Sequence, residues 1–175
     1  MADQAGTAAL RGMVSDAGTV EIRRARPEDA ESACRVLRRS IAEICAPYYD
    51  NDEGVLSEWL ANKTPDNVRA WIESDKTFCL VAVDKDIGIC GFAVLSGGVI
   101  LLLYLLPEAL YQGTGKRMLQ SLEDHAVRTG IQQISLMSSI PARAFYERNG
   151  YVPAGEPEYV GPVLGHFPMS KDLAG

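Results

Sequence analysis

The sequence predicts one α+β domain, a mixed and mostly antiparallel sheet with helices on both faces. Three observations carry this. Apolar residues between 30 and 44 recur at helical spacing. Residues 78–106 hold three β-rich runs separated by tight-turn signals. A glycine-bearing segment then leads into an amphipathic helix and another strand. A chain of 175 residues with 47% hydrophobic and 23% charged residues suits a single core.

The elements follow in order. Residues 1–19 are small and polar without a clear period and read as a mobile tail. Residues 20–175 form the domain. Val20 to Arg24 is a short strand. Pro27 suits a first helical position, and Glu28 and Asp29 suit the positive end of a helix dipole. Ala30, Ala33, Cys34, Leu37, Ile41 and Ile44 form one apolar face up to Pro47. A second helix covers Val55 to Leu60, and a third starts at Thr64-Pro65-Asp66 with Val68, Trp71 and Ile72 inward. Strands are expected at Phe78 to Val83, Ile87 to Leu95 and Val99 to Leu106, turned by Asp84-Lys85-Asp86 and Gly97-Gly98. The last run is apolar on both faces, which places it at the sheet centre, covered on both sides and the most buried strand. Pro107 ends it. Met118, Leu119, Leu122 and Ala126 mark a helix stopped by Gly130. Ile131 to Met137 should then run parallel to the preceding strand. A short helix from Pro141 to Arg148 stops at Asn149-Gly150, and one or two strands finish the chain.

Composition narrows the function classes. A net charge of −6 repels a phosphate polymer, so no nucleic-acid partner is expected. The longest apolar run is far short of the ~20 residues that span a bilayer. With no secretory signal at the N-terminus, a soluble cytoplasmic protein without a membrane partner is expected. Cys34, Cys45, Cys79 and Cys90 form no C-x-x-C pair and read as reduced core thiols. No four-ligand metal set can be assembled, so no metal is expected.

The segment Gln112-Gly113-Thr114-Gly115-Lys116-Arg117 is the one local signal for a ligand. Glycines before a helix let the backbone approach an anion, and the unpaired N–H groups favour phosphate. A Walker loop fails, because Leu110 replaces its first glycine and Arg117 its magnesium-binding hydroxyl. A dinucleotide fingerprint fails at Met118. A pyrophosphate loop of the coenzyme A type and an ordinary helix-capping loop remain.

Two motifs together resemble the GNAT superfamily of acyl-CoA-dependent N-acyltransferases. The first is Tyr104-Leu105-Leu106-Pro107 followed by Gln112-Gly113-Thr114-Gly115-Lys116-Arg117; the second is Ala142-Arg143-Ala144-Phe145-Tyr146 followed by Gly150-Tyr151. The resemblance is firmest from Phe78 to Tyr151. It implies a central parallel pair of strands that splays apart, with pantetheine in the gap. It implies acetyl-CoA as acyl donor, direct attack by an amine of a small molecule or peptide, no metal, and a monomer or homodimer. By the same resemblance a free backbone N–H at the end of that strand, near Leu105 and Leu106, receives the oxyanion. The segment 112–117 holds the pyrophosphate, Ser139, Ala142 and Phe145 contact the cofactor, and Tyr146 protonates the leaving thiolate. Arg117 departs from the usual Gly or Ala, and Ser139 from an asparagine. No acid lies on the strand 99–106, so Glu43, Asp50, Asp52, Glu53 and Glu58 are the carboxylate candidates for a base. His125 reads as a surface residue, and His166 is given no role. Trp59, Trp71, Tyr48 and Tyr49 stand where an acceptor groove would be covered. The alternative is a non-catalytic acyl-CoA sensor or interaction module of the same fold.

Overall fold

The computed structural model describes residues 20–173; the tail expected at 1–19 lies outside them. Strand β1 (Val20–Arg24) leads through a 3-10 turn at Pro27–Asp29 into helix α1 (Ala30–Ser40). Asp29 fastens this entry, accepting from the Arg26 N–H at 2.7 Å and pairing with Arg23 at 2.7 Å. Ala33, Val36, Leu37 and Ile41 are fully buried, as the period requires.

The helix does not run on regularly. Ile41–Cys45 is a π-helical segment, followed by a 3-10 turn at Ala46–Tyr49. The wider turn shifts the helical phase, so Cys45 takes the buried position and Ile44 faces a cleft instead of joining the core face. Helix α2 (Glu53–Ala61) is capped by Asp52, which accepts from the Val55 N–H, and α3 (Pro65–Glu73) by Thr64, which accepts from Asn67.

Strands β2 (Phe78–Asp84), β3 (Gly88–Ser96) and β4 (Val99–Leu105) form an antiparallel meander with β1 on its edge. Helix α4 (Thr114–Arg128) then crosses to β5 (Gln133–Ser138), which lies parallel to β4. Helix α5 (Arg143–Arg148) precedes three further strands, β6 (Val152–Pro153), β7 (Glu158–Val160) and β8 (Val163–Asp172), one more than the tail suggests. The sheet order is β1-β2-β3-β4-β5-β8-β6, with β7 on β8. This is the expected fold class. Helices α1 and α3 pack on one face against Val81, Phe92 and Val94; α4 and α5 pack on the other with Met118, Leu119, Leu122 and Tyr146.

One expectation is overturned. β4 is central but is not the most buried strand, since Leu101 is 56% exposed. That place belongs to β3, buried continuously from Cys90 to Leu95. The cause is the pairing with β5, which ends after Val99 with Ser135 and Ile100 with Leu136. Beyond Ile100 the two strands separate, and the apolar side chains of β4 become the wall of a gap. A bulge assists. Val94 pairs with Leu102 and Leu95 with Ile100, leaving Leu101 without a partner.

Tyr49 locks the far side of the gap. Its buried hydroxyl donates to the Gly165 carbonyl at 2.7 Å and accepts from the Ile140 N–H at 3.1 Å. A Cβ at Gly165 would overlap the Tyr49 ring. Gly165→Ala should therefore destabilise the fold by about 1–3 kcal/mol, read as a lower urea midpoint; an unchanged midpoint would mean the ring yields freely. Opposite, buried Glu123 accepts from Lys171 at 3.0 Å and from the Tyr151 hydroxyl at 3.1 Å, tying α4 to β8. Among the described residues no helix is long and apolar enough to cross a membrane, and all four cysteines are buried and unbridged.

Candidate active site

Where β4 and β5 part, a cleft of about 870 Å³ opens through the sheet. Its two ends draw on opposite faces. One end is made by Gly113, Gly115 and Lys116 at the start of α4, with Ala142, Phe145, Tyr146, Arg148 and Asn149, while Ser139 lies within hydrogen-bonding reach of the Cys45 thiol. The other is made by Ser40, Ile44, Cys45, Tyr48, Trp59, Lys63 and His166. Ile100 to Leu105 run between them.

The first end is built by the start of α4. Gly113 caps the helix with φ 81°, a left-handed conformation that glycine adopts at little cost. The first helical bond runs from the Arg117 N–H to the Gly113 carbonyl at 3.1 Å. The N–H groups of Thr114, Gly115 and Lys116 therefore have no intrahelical acceptor, and the helix dipole adds to their pull on an anion. Neighbouring Tyr111 also has a positive φ of 59° and is almost fully exposed at the cleft mouth.

The strand edge facing the gap follows from ladder alternation. The Leu106 N–H donates to Cys90 at 2.8 Å on the β3 side. In an antiparallel ladder the neighbouring residue faces the other way, so the Leu105 N–H is directed at the edge where β5 has withdrawn.

A family model for the acetyltransferase (GNAT) domain matches residues 45–173. This chain belongs to the GNAT family. It is similar to a GCN5-related N-acetyltransferase structure from Rhodopseudomonas palustris at 25% identity and TM-score 0.75, over 88% of this chain and 96% of that one. PaiA N-acetyltransferase from Thermoplasma acidophilum, solved with coenzyme A, matches at 23% identity and TM-score 0.73, over 87% and 98%. YncA of Salmonella typhimurium, a structure with acetyl-CoA, matches at 19% identity and TM-score 0.67, over 89% and 95%. No curated protein matches the chain by sequence.

In this GNAT domain the residues singled out from sequence divide into two groups. Leu105, Gly113, Gly115, Lys116, Ser139, Ala142, Phe145 and Tyr146 line the cleft together. Leu106 is buried with its N–H already bonded, and Thr114 is buried beneath the turn. Gln112 donates from its side chain to the Glu108 carbonyl. Arg117 points away, donating to the Val20 carbonyl at 2.8 Å, so it neither crowds the glycine turn nor reaches into the cleft.

Tyr146 is buried, and burial holds its pKa well above the ordinary value of about 10. Every fully enclosed side-chain polar atom among the described residues has a partner. The Tyr146 hydroxyl has none among the described residues, so it is not fully enclosed, and the residue lines the cleft. Tyr104, on the wall between the two ends, is likewise shifted up by burial.

The carboxylate candidates do not reach the site. Glu43 pairs with Arg39 at 2.7 Å, Asp52 caps α2, and Asp50, Glu53 and Glu58 lie outside the lining. Among the described residues no Asp or Glu lines the cleft. His166, passed over in the sequence, does. It stands edge-on to Trp59 with centroids 6.3 Å apart and lies opposite Glu158 across β7 and β8. Burial lowers its pKa, and Glu158 opposes this only in part. Burial thus favours the neutral imidazole, the form that can take a proton. Nothing local in the sequence marks it, because one histidine in an alternating strand has no motif. Trp71 packs into the core on α3, whereas Trp59 faces the cleft. His125 stacks on Phe78 at 3.6 Å, away from the cleft.

Proposed function

We propose that the chain transfers an acetyl group from acetyl-CoA to a primary amine of a small molecule or peptide by direct attack. One observation carries this: a cleft through the splayed sheet has a helix start with unpaired N–H groups at one end and the His166 imidazole at the other. In this reading the N–H groups at the start of α4, with Lys116 and Arg148 nearby, receive the pyrophosphate. The pantetheine lies along β4. His166 takes a proton from the incoming ammonium, and the freed amine attacks the thioester carbonyl. The Leu105 N–H receives the oxyanion as charge develops. When the C–S bond breaks, the Tyr146 hydroxyl donates a hydrogen bond to the sulfur as it leaves as a thiolate. The second proton of the attacking nitrogen passes to that thiolate, His166 returns its proton to solvent, and free CoA and the amide are the products. No acyl-enzyme is needed, and Cys45, which lines the cleft, is unsuited to form one because burial pushes its thiol up to about 12.

The test has two stages. CoA at a hundredfold excess over its dissociation constant should stabilise the protein by about 2.7 kcal/mol, seen as a raised melting temperature. A Cβ at Gly115 would lie 3.4 Å from Leu105 Cδ1 and 3.5 Å from Phe145 Cε2, so the extra methyls of valine must enter the cleft. Gly115→Val should abolish the protection, and Arg117→Ala should leave it intact. Absence of protection in the wild type overturns the reading. Thiol release from acetyl-CoA with a panel of amines then separates an enzyme from a sensor that binds without reacting.

A further inference from the structure

We propose that the acceptor amine also carries a carboxylate, and that Lys63 receives it at the far end of the cleft. This rests on the acetyl-transfer reading and adds the class of acceptor to it. Lys63 lies between α2 and α3 with its backbone held in place. Its carbonyl accepts from Cys34 Sγ at 3.2 Å and from Arg38 Nη1 at 3.0 Å. The residue is only 7% exposed and lines the cleft. Its Nζ donates to Asn62 Oδ1 at 2.6 Å, and among the described residues it makes no ion pair. A neutral amide does not compensate a buried ammonium. Burial accordingly lowers the Lys63 pKa. The group is thus a buried amine on the lining of the cleft, where an anion bound beside it would favour its charged form.

The charge of the lining agrees. The chain carries a net charge of −6, yet its cleft contains lysine, arginine and histidine and, among the described residues, no acid. A polyamine would bring a second cation with nothing to meet it. An amine beside a carboxylate leaves one ammonium for His166 and one anion for Lys63. Tyr48 and Trp59 stand at the same end and offer flat apolar surface, which suits an apolar or aromatic body.

Calorimetric titration of the CoA complex with matched pairs tests this. L-phenylalanine is compared with 2-phenylethylamine, L-leucine with 3-methylbutylamine, and spermidine serves as the polycation. The carboxylate member of each pair should bind about 10- to 100-fold tighter. Lys63→Met should erase that preference, while the melting temperature of the free variant stays level or rises because an uncompensated charge is gone. Equal or weaker binding of the amino acids, no binding by either member, tighter binding of spermidine, or a preference that survives Lys63→Met would overturn the proposal. So would a large loss of stability in the free variant, which would make the ammonium structural. Heat protection by CoA, measured alongside, separates the failures. If CoA protects and the preference is missing, the acceptor assignment alone falls; if CoA does not protect, the acetyl-transfer reading falls and takes the acceptor with it.

Discussion

His166→Gln should lower kcat/KM by about 10²–10⁴-fold, the usual range for a positioned proton-transfer group. Glutamine keeps a polar side chain against Trp59 but cannot take a proton. The pH profile gives the sharper readout. Burial in the cleft lowers the His166 pKa, and Glu158 raises it by less. The unperturbed value is about 6.5, so the base form is already present at neutral pH. On acidification the imidazole charges and the rate falls, with its midpoint below 6.5. Above that point the profile should be flat until another group titrates. His166→Gln should lack this acid limb altogether. The same shift bears on stability. The unfolded chain binds the proton more readily, so the contribution of His166 is full above the unfolded pKa and is lost as pH falls through the folded one. A wild-type profile without an acid limb, or a variant within about twofold of wild type and so well short of that range, would remove His166 from the mechanism.

Tyr146→Phe should lower kcat by about 10²–10³-fold, as loss of one donor to developing charge typically does. The direction of its pKa shift defines the role. Burial makes the hydroxyl a weaker acid than free tyrosine, whereas a thiol has a pKa near 8.5. Full proton transfer to the sulfur is therefore uphill. The hydroxyl serves better as a fixed hydrogen-bond donor to the thiolate as it forms. Because the hydroxyl has no partner among the described residues, removing it leaves none of their buried groups unpaired. The ring still packs edge-on against Phe145 at 5.2 Å and Tyr151 at 5.5 Å. The melting temperature and the CoA affinity should hold while kcat drops, the signature of an interaction made in the transition state. Normal turnover with reduced stability would instead make Tyr146 a packing residue.

The sequence by itself determined the order of elements, the fold class, the glycine turn at the start of α4 and the position of Tyr146. These are local facts. Helical and alternating periods, proline and glycine stops, and two spaced motifs each lie within a few turns of chain, where sequence and conformation are directly coupled. What only the tertiary structure decided depends on where separate elements meet. An apolar run such as β4 reads as core, because periodicity cannot tell a buried wall from the wall of a gap. That difference arises where β5 stops pairing after Leu136. Leu105 rather than Leu106 faces the gap because of ladder phase against β3. Arg117 turns away because β1 offers it the Val20 carbonyl, 97 residues earlier in the chain. The π-helical segment that moves Ile44 into the cleft leaves no clear mark on the apolar pattern. Trp59, Lys63 and His166 come from α2, the turn after it and β8, and they share one cleft because the sheet opens there. A single basic side chain gains its chemical meaning from burial and from its neighbours, and both are set by packing across the sheet rather than by adjacent residues.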